Sequence, residues 1–227
     1  MILAHLLLTS VLPSLLAALP ARGAWGVAYA PADPSAPRAA VVLLHGMWSS
    51  PEEVCPAFAP AIPPDVFFVC PRGNAPMSDG SAGKMWAGTY ASAAPSVHAA
   101  LDAAASLVPA GLDAKGGTLA GYSNGAYFAA DIALHEPGRW TGLVLLSMHL
   151  ELDAARLRSA GIARVVLAAG DRDMAARTMR ALAGSLDAAG LPARFVSLGP
   201  GGHELPGDLA ERLRELVAWV REVPAAP

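Results

Sequence analysis

The sequence predicts a single α/β domain in which a mostly parallel sheet of about seven or eight strands is flanked by helices. Three observations carry this expectation. Short β-rich runs alternate with segments of helical periodicity along nearly the whole chain. Several of those runs are continuously apolar, as strands buried on both faces must be. A chain of 227 residues with 54% hydrophobic and only 15% charged side chains also suits one sizeable core and argues against disorder. The formal net charge of −3, without any Lys/Arg cluster, offers no electrostatic footprint for nucleic acid or for an anionic membrane surface. No internal repeat or low-complexity tract interrupts the pattern.

In chain order, Ile2 to Leu19 form an apolar run broken by Thr9, Ser10, Pro13 and Ser14, followed by Pro20-Ala21-Arg22-Gly23-Ala24. This is the pattern of a secretory signal peptide. Residues 1–23 are expected to be removed, by cleavage after Gly23 or after Ala21, leaving 24–227 as one domain exported to the periplasm or the medium. An uncleaved membrane anchor is the competing reading, because the run is near the lower length for a span and no Lys or Arg precedes it.

Strands are expected at Val27 to Ala30, Ala40 to Leu44, Val66 to Cys70, Thr118 to Ala120, Leu143 to Ser147, Ala163 to Ala169 and Ala193 to Leu198. Helical faces are read at Val97, Leu101 and Val108; at Met174, Thr178, Leu182 and Leu186; and at Leu209, Leu213, Leu216 and Val220. Ser50-Pro51-Glu52-Glu53 combines a serine N-cap, a proline at the first helical position and a glutamate placed to close a capping box. A helix should therefore start after the loop His45 to Ser49. That puts Cys55 in its second turn, near the end of the strand that finishes at Cys70. In an exported protein a Cys55–Cys70 disulfide is geometrically reasonable; two buried free thiols are the alternative.

The chemistry concentrates at Gly121-Tyr122-Ser123-Asn124-Gly125, which joins an apolar strand to a helix start. A serine hydroxyl is a poor nucleophile unless a base lies beside it and the backbone presents it outward. The Gly-x-Ser-x-Gly spacing supplies that presentation, with the two glycines leaving room for close backbone approach. The N–H of Asn124, at the start of the next helix, is free to donate to an oxyanion. By itself the pattern is weak evidence in a chain with 22 glycines. Two further stretches strengthen it: Gly170-Asp171-Arg172-Asp173 follows one predicted strand and Gly199-Pro200-Gly201-Gly202-His203 another. Both lie just beyond the carboxyl ends of their strands, the edge at which open parallel sheets bind ligands. Either Asp171 or Asp173 can supply the acid, and the order is serine, acid, histidine.

With these residues in place, the chain from Val41 onward resembles the α/β-hydrolase superfamily, and within it the small serine esterases of the phospholipase/carboxylesterase and dienelactone-hydrolase-like branch. Val41-Val42-Leu43-Leu44-His45-Gly46-Met47 resembles that branch's strand and oxyanion loop, and Asn74-Ala75-Pro76 with Gly83-Lys84-Met85-Trp86 its next loop. The resemblance implies a nucleophile at Ser123, a base at His203, the acid at Asp173 through the family's Gly-x-x-Asp spacing, and oxyanion N–H groups at Met47 and Asn124. It implies hydrolysis of small carboxylic esters through an acyl-enzyme, without metal or organic cofactor. Thioester, peptide and polyester-oligomer hydrolysis are the alternatives on the same triad, and a non-catalytic binding scaffold is the alternative from another class. Ala87-Gly88 departs from the Tyr-Asp that commonly follows this tryptophan. Trp86 and Trp48 are the candidate substrate contacts. His45 is expected to support the oxyanion loop, His98 and His135 to be satisfied on helices, and His149, after a strand end, either to face the site or to end the strand. Only about fifteen residues, Met148 to Ile162, occupy the place where related folds insert a cap, which predicts an open cleft.

Overall fold

The computed structural model describes residues 20–81 and 83–222. Most of the expected leader, His5 included, lies outside the described residues. Its last three, Ala21–Gly23, form strand β1, which turns through Ala24 and Trp25 and pairs antiparallel with β2 (Gly26–Tyr29). This edge hairpin was not foreseen, because Arg22 and Gly23 carry no strand signal of their own.

The sheet continues with β3 (Ala40–Leu44), β4 (Phe67–Pro71), β7 (Gly117–Tyr122), β8 (Trp140–Leu146), β9 (Arg164–Ala169) and β10 (Ala193–Ser197), in the spatial order β1-β2-β4-β3-β7-β8-β9-β10. From β4 to β10 every neighbouring pair is parallel, whereas β2 joins β4 antiparallel. A separate two-stranded ribbon, β5 (Ala75–Pro76) with β6 (Lys84–Met85), folds the loop after β4 back on itself.

Parallel strands need crossovers, and these are helices on both faces. Side chains alternate along each strand, so Val42 and Leu44 of β3 pack on one face with Val97, Ala126 and Met179, while Val41 and Leu43 pack on the other with Val54, Leu213 and Val217. The first face is covered by α2 (Tyr90–Ala105), α3 (Asn124–His135) and α5 (Ala176–Ala188), the second by α1 (Pro51–Phe58) and α6 (Leu209–Arg221). The capping box at the start of α1 forms, with the Glu53 carboxylate accepting the Ser50 N–H at 2.9 Å. Cys55 of α1 is disulfide-bonded to Cys70 of β4, tying that helix to the sheet.

Val97 and Leu101 are buried on α2, but Val108 lies beyond its end at Ala105. The two other expected helical faces are displaced. Met174 precedes α5 and is 87% exposed; the buried stripe runs through Ala176, Met179, Ala183 and Leu186, with Leu182 half-buried. On α6 the buried stripe takes Val217 in place of Leu216. Both shifts follow from alanine-rich or leucine-rich stretches in which adjacent positions are equally apolar, so that packing chooses the face. Between β8 and β9 lies only the six-residue α4 (Ala154–Ser159), leaving the carboxyl edge of the sheet without a large cap. Among the described residues no helix is long and apolar enough to cross a membrane.

Candidate active site

All the candidate residues leave the carboxyl edge of this sheet: the His45–Ser49 loop after β3, Ser123 after β7, Asp173 after β9 and His203 after β10. Ser123 has φ 52° and ψ −119°, a conformation an L-residue adopts at a cost of about 1–3 kcal/mol unless its surroundings impose it. Here they do. The Ser123 N–H donates to the Leu146 carbonyl at 2.9 Å. A Cβ on Gly121 would lie 2.5 Å from the Ala126 Cα, and one on Gly125 2.2 Å from the Leu44 carbonyl oxygen. Only glycine lets α3 start this close to the ends of β7 and β3, so the turn stays sharp and the hydroxyl is presented outward.

His203 Nε2 is 2.9 Å from Ser123 Oγ, and its Nδ1 is 3.0 Å from Asp173 Oδ2. The second oxygen of Asp173 accepts the Ala175 N–H at 2.9 Å. Burial alone would raise the Asp173 carboxyl, but the Ala175 N–H, the Ser147 hydroxyl and His203 together hold it below its ordinary value. Ser147, which follows β8 with φ 54°, is buried beside this carboxylate without a hydrogen-bond partner of ordinary geometry. Asp171 points elsewhere: it accepts the Ser197 hydroxyl at 2.6 Å at the end of β10. Of the two acids left open by spacing, the structure brings Asp173 to the histidine.

Tyr122 immediately precedes the nucleophile and was not singled out by its sequence context. Its hydroxyl donates to the His203 backbone carbonyl, and its ring lies 5.6 Å from the imidazole. Burial, then the negative charges of Asp173 and Glu204, push its pKa up to about 12. A Cβ on Gly46 would lie 3.0 Å from the same tyrosine ring and 3.4 Å from Ser123 Cβ, so the oxyanion loop passes directly beside the nucleophile. Met47 follows, and among the described residues its N–H is given to no acceptor. The Asn124 N–H opens α3, where no intrahelical partner exists for it.

The loop is held from beneath. His45 is fully buried; its Nε2 accepts the Gly73 N–H at 3.0 Å, so Nδ1 carries the proton and donates to the Gly46 carbonyl at 2.8 Å. Burial keeps this imidazole neutral, with its pKa below the ordinary histidine value. Trp86, expected as a substrate contact, is only 1% exposed. Its indole N–H donates to the His45 carbonyl at 3.1 Å and its backbone N–H to the Asn124 side chain at 2.8 Å. A side chain enclosed in this way supports the site from below and offers no surface to a ligand. Trp48 is 62% exposed at the rim, its indole N–H 3.3 Å from Asp79. Ala87 is clamped by the Asn74 amide through two 2.9 Å bonds. His98 meets Glu136 at 2.6 Å and His135 the Asp131 carbonyl at 2.8 Å, near the far end of α3 from Ser123. Among the described residues no three His, Cys, Asp or Glu side chains converge as metal ligands would.

No family model and no curated protein matches the chain. Solved structures do. Esterase PE8 is similar over 88% of this chain and 98% of its own, at 23% identity and a TM-score of 0.65. A carboxylesterase from Mesorhizobium loti is similar over 80% of this chain and 88% of its own, at 26% identity and a TM-score of 0.56. The S-formylglutathione hydrolase of Staphylococcus aureus is similar over 86% and 92%, at 17% identity and a TM-score of 0.61.

Proposed function

Because the chain has the α/β-hydrolase fold, we propose that it is a serine esterase of the carboxylesterase type, and the observation that carries this is His203 hydrogen-bonded at once to Ser123 and Asp173. As Ser123 Oγ attacks an ester carbonyl, His203 Nε2 takes its proton. Asp173 fixes the Nδ1–H tautomer and stabilises the imidazolium that forms. The carbonyl oxygen becomes an oxyanion held by the N–H groups of Met47 and Asn124, each worth on the order of 3 kcal/mol when well aimed. Collapse of the tetrahedral intermediate expels the alcohol, which receives the proton from His203, and leaves an acyl group on Ser123. Water, deprotonated by the same histidine, then releases the acid and restores the serine.

The edge that carries Ser123, where the β8–β9 connection holds only the short α4, suits small soluble esters. The Cys55–Cys70 disulfide supports a place in an oxidising compartment, in keeping with an exported protein.

Labelling with a fluorophosphonate tests the reading. The expected result is one adduct, on Ser123, absent from Ser123→Ala and His203→Ala. A folded protein that takes up no label would favour a binding scaffold. Turnover of matched ester, thioester and peptide substrates then separates the esterase from the other hydrolases that use this triad.

A further inference from the structure

Three side chains at the carboxyl edge that also carries Ser123 remain outside the mechanism: Tyr127, His149 and Thr178. Tyr127 lies four residues after Ser123 in α3, one helical turn or about 6 Å along the axis. Long side chains on a helix lean back toward its N-terminus, here toward the nucleophile. The tyrosine is 39% exposed. His149 follows the end of β8 on the same sheet edge, and its backbone N–H donates to the Tyr127 hydroxyl oxygen at 3.1 Å. The phenolic proton is thereby left free to be donated outward.

The imidazole can be assigned a tautomer. Thr178 has a single hydroxyl proton, which goes to the Ala175 carbonyl at 2.9 Å. Thr178 Oγ1 is also 3.1 Å from His149 Nδ1. Both contacts hold together only when Nδ1 carries the proton and donates to the threonine oxygen. In the neutral ring that tautomer makes Nε2 an acceptor, and among the described residues it has no hydrogen-bond partner. Met174, next to Asp173 and 87% exposed, adds apolar surface on the same side.

A free donor and a free acceptor side by side match one group that does both, a hydroxyl. A carboxylate on the substrate would set its charge against the Nε2 lone pair. We infer that Tyr127 and His149 form a specificity subsite that recognises a hydroxyl on an otherwise apolar half of the ester, a hydroxyaryl or hydroxyalkyl group reaching about one helical turn from the scissile carbonyl. This rests on the esterase reading.

The test compares pairs of esters differing by one hydroxyl. Methyl 3-(4-hydroxyphenyl)propanoate against methyl 3-phenylpropanoate places the hydroxyl on the acyl half. The acetates of 2-(4-hydroxyphenyl)ethanol and 2-phenylethanol place it on the alcohol half. In the wild-type protein one pair should show a kcat/KM ratio of roughly fivefold or more in favour of the hydroxylated ester, the effect of one net hydrogen bond. Tyr127→Phe and His149→Ala should each bring that ratio toward one, and because the ratio is taken within a single variant, partial loss of folded protein cancels. Turnover with no preference in either pair, or a preference that survives both substitutions, overturns the subsite alone. Absence of turnover with all four esters, together with absence of fluorophosphonate labelling, overturns the esterase reading and the subsite with it.

Discussion

Replacing Tyr122 by phenylalanine removes one hydroxyl and keeps the ring that packs beside His203 and Gly46. What is lost is the bond from Tyr122 to the His203 carbonyl. The segment from Gly199 to Pro206 has no regular structure and contains Gly199, Gly201 and Gly202, so His203 depends on a few tethers. The Asp171 N–H to Gly199 (2.8 Å) and Arg172 N–H to Gly201 (2.9 Å) bonds anchor the segment upstream of the histidine. Tyr122 holds the histidine itself. A neutral hydrogen bond contributes a net of about 1 kcal/mol, so its loss should lower the population of correctly placed imidazole about fivefold. The expected result for Tyr122→Phe is a kcat about fivefold lower at nearly unchanged KM, with the rate of fluorophosphonate labelling falling in parallel. A second readout is stability in alkali. The folded tyrosine keeps its proton until about pH 12, whereas an unfolded one releases it near 10. The unfolded state therefore binds fewer protons in that window, and wild-type stability falls as pH rises from about 10 to 12. The phenylalanine variant should lack that component. An unchanged kcat and labelling rate would refute Tyr122 as the residue that positions His203.

Asp173→Asn should lower kcat by about 10³–10⁴-fold while leaving the fold intact, because the amide cannot hold the imidazole in the required tautomer; circular dichroism and steady-state kinetics on the same preparation check both halves. Since the Asp173 carboxyl is held below its ordinary value, it contributes stability above about pH 4 that is lost as pH falls through the lowered folded value, a loss that acid titration of wild type against the asparagine variant should isolate. The buried neutral His45 acts in the same direction at higher pH: below about pH 6.5 an unfolded histidine takes up the proton that the fold refuses, so melting temperature should decline as pH drops from 7 toward 5, less steeply in a His45→Gln variant. Removing the disulfide with the double substitution Cys55→Ala and Cys70→Ala, which opens a loop of sequence separation 15, should cost about 3 kcal/mol in denaturant unfolding.

Much of this architecture is legible locally. The apolar runs of β3, β4 and β9 announce strands covered on both faces, and the short span from Met148 to Ile162 announces that no large cap fits there. Ser50-Pro51-Glu52-Glu53 states the start of α1 in its capping chemistry, which in turn brings Cys55 within reach of Cys70. The glycines around Ser123 and the strand-end positions of Asp171, Asp173 and His203 are likewise properties of spacing. Each of these depends on neighbours within a few residues or on a simple period, and such signals survive in one dimension.

The choice between two acids two residues apart does not, because Asp171 and Asp173 share a loop and differ only in which distant group they meet, Ser197 or His203. Trp86 reads as a candidate substrate contact until His45 and Asn124 are found around it. Edge strand β1 exists only through its pairing with β2, and the buried stripe of α5 is selected by the sheet it covers among positions of nearly equal hydrophobicity. Tyr122, Tyr127 and His149 acquire meaning from contacts across 81, 22 and 29 residues of chain. The sequence by itself determined the elements, their order and the edge at which the reactive side chains emerge; the direction of each side chain, and therefore which of them meet, was decided only by packing, since hydrogen bonds between distant residues leave no periodic trace in the chain that forms them.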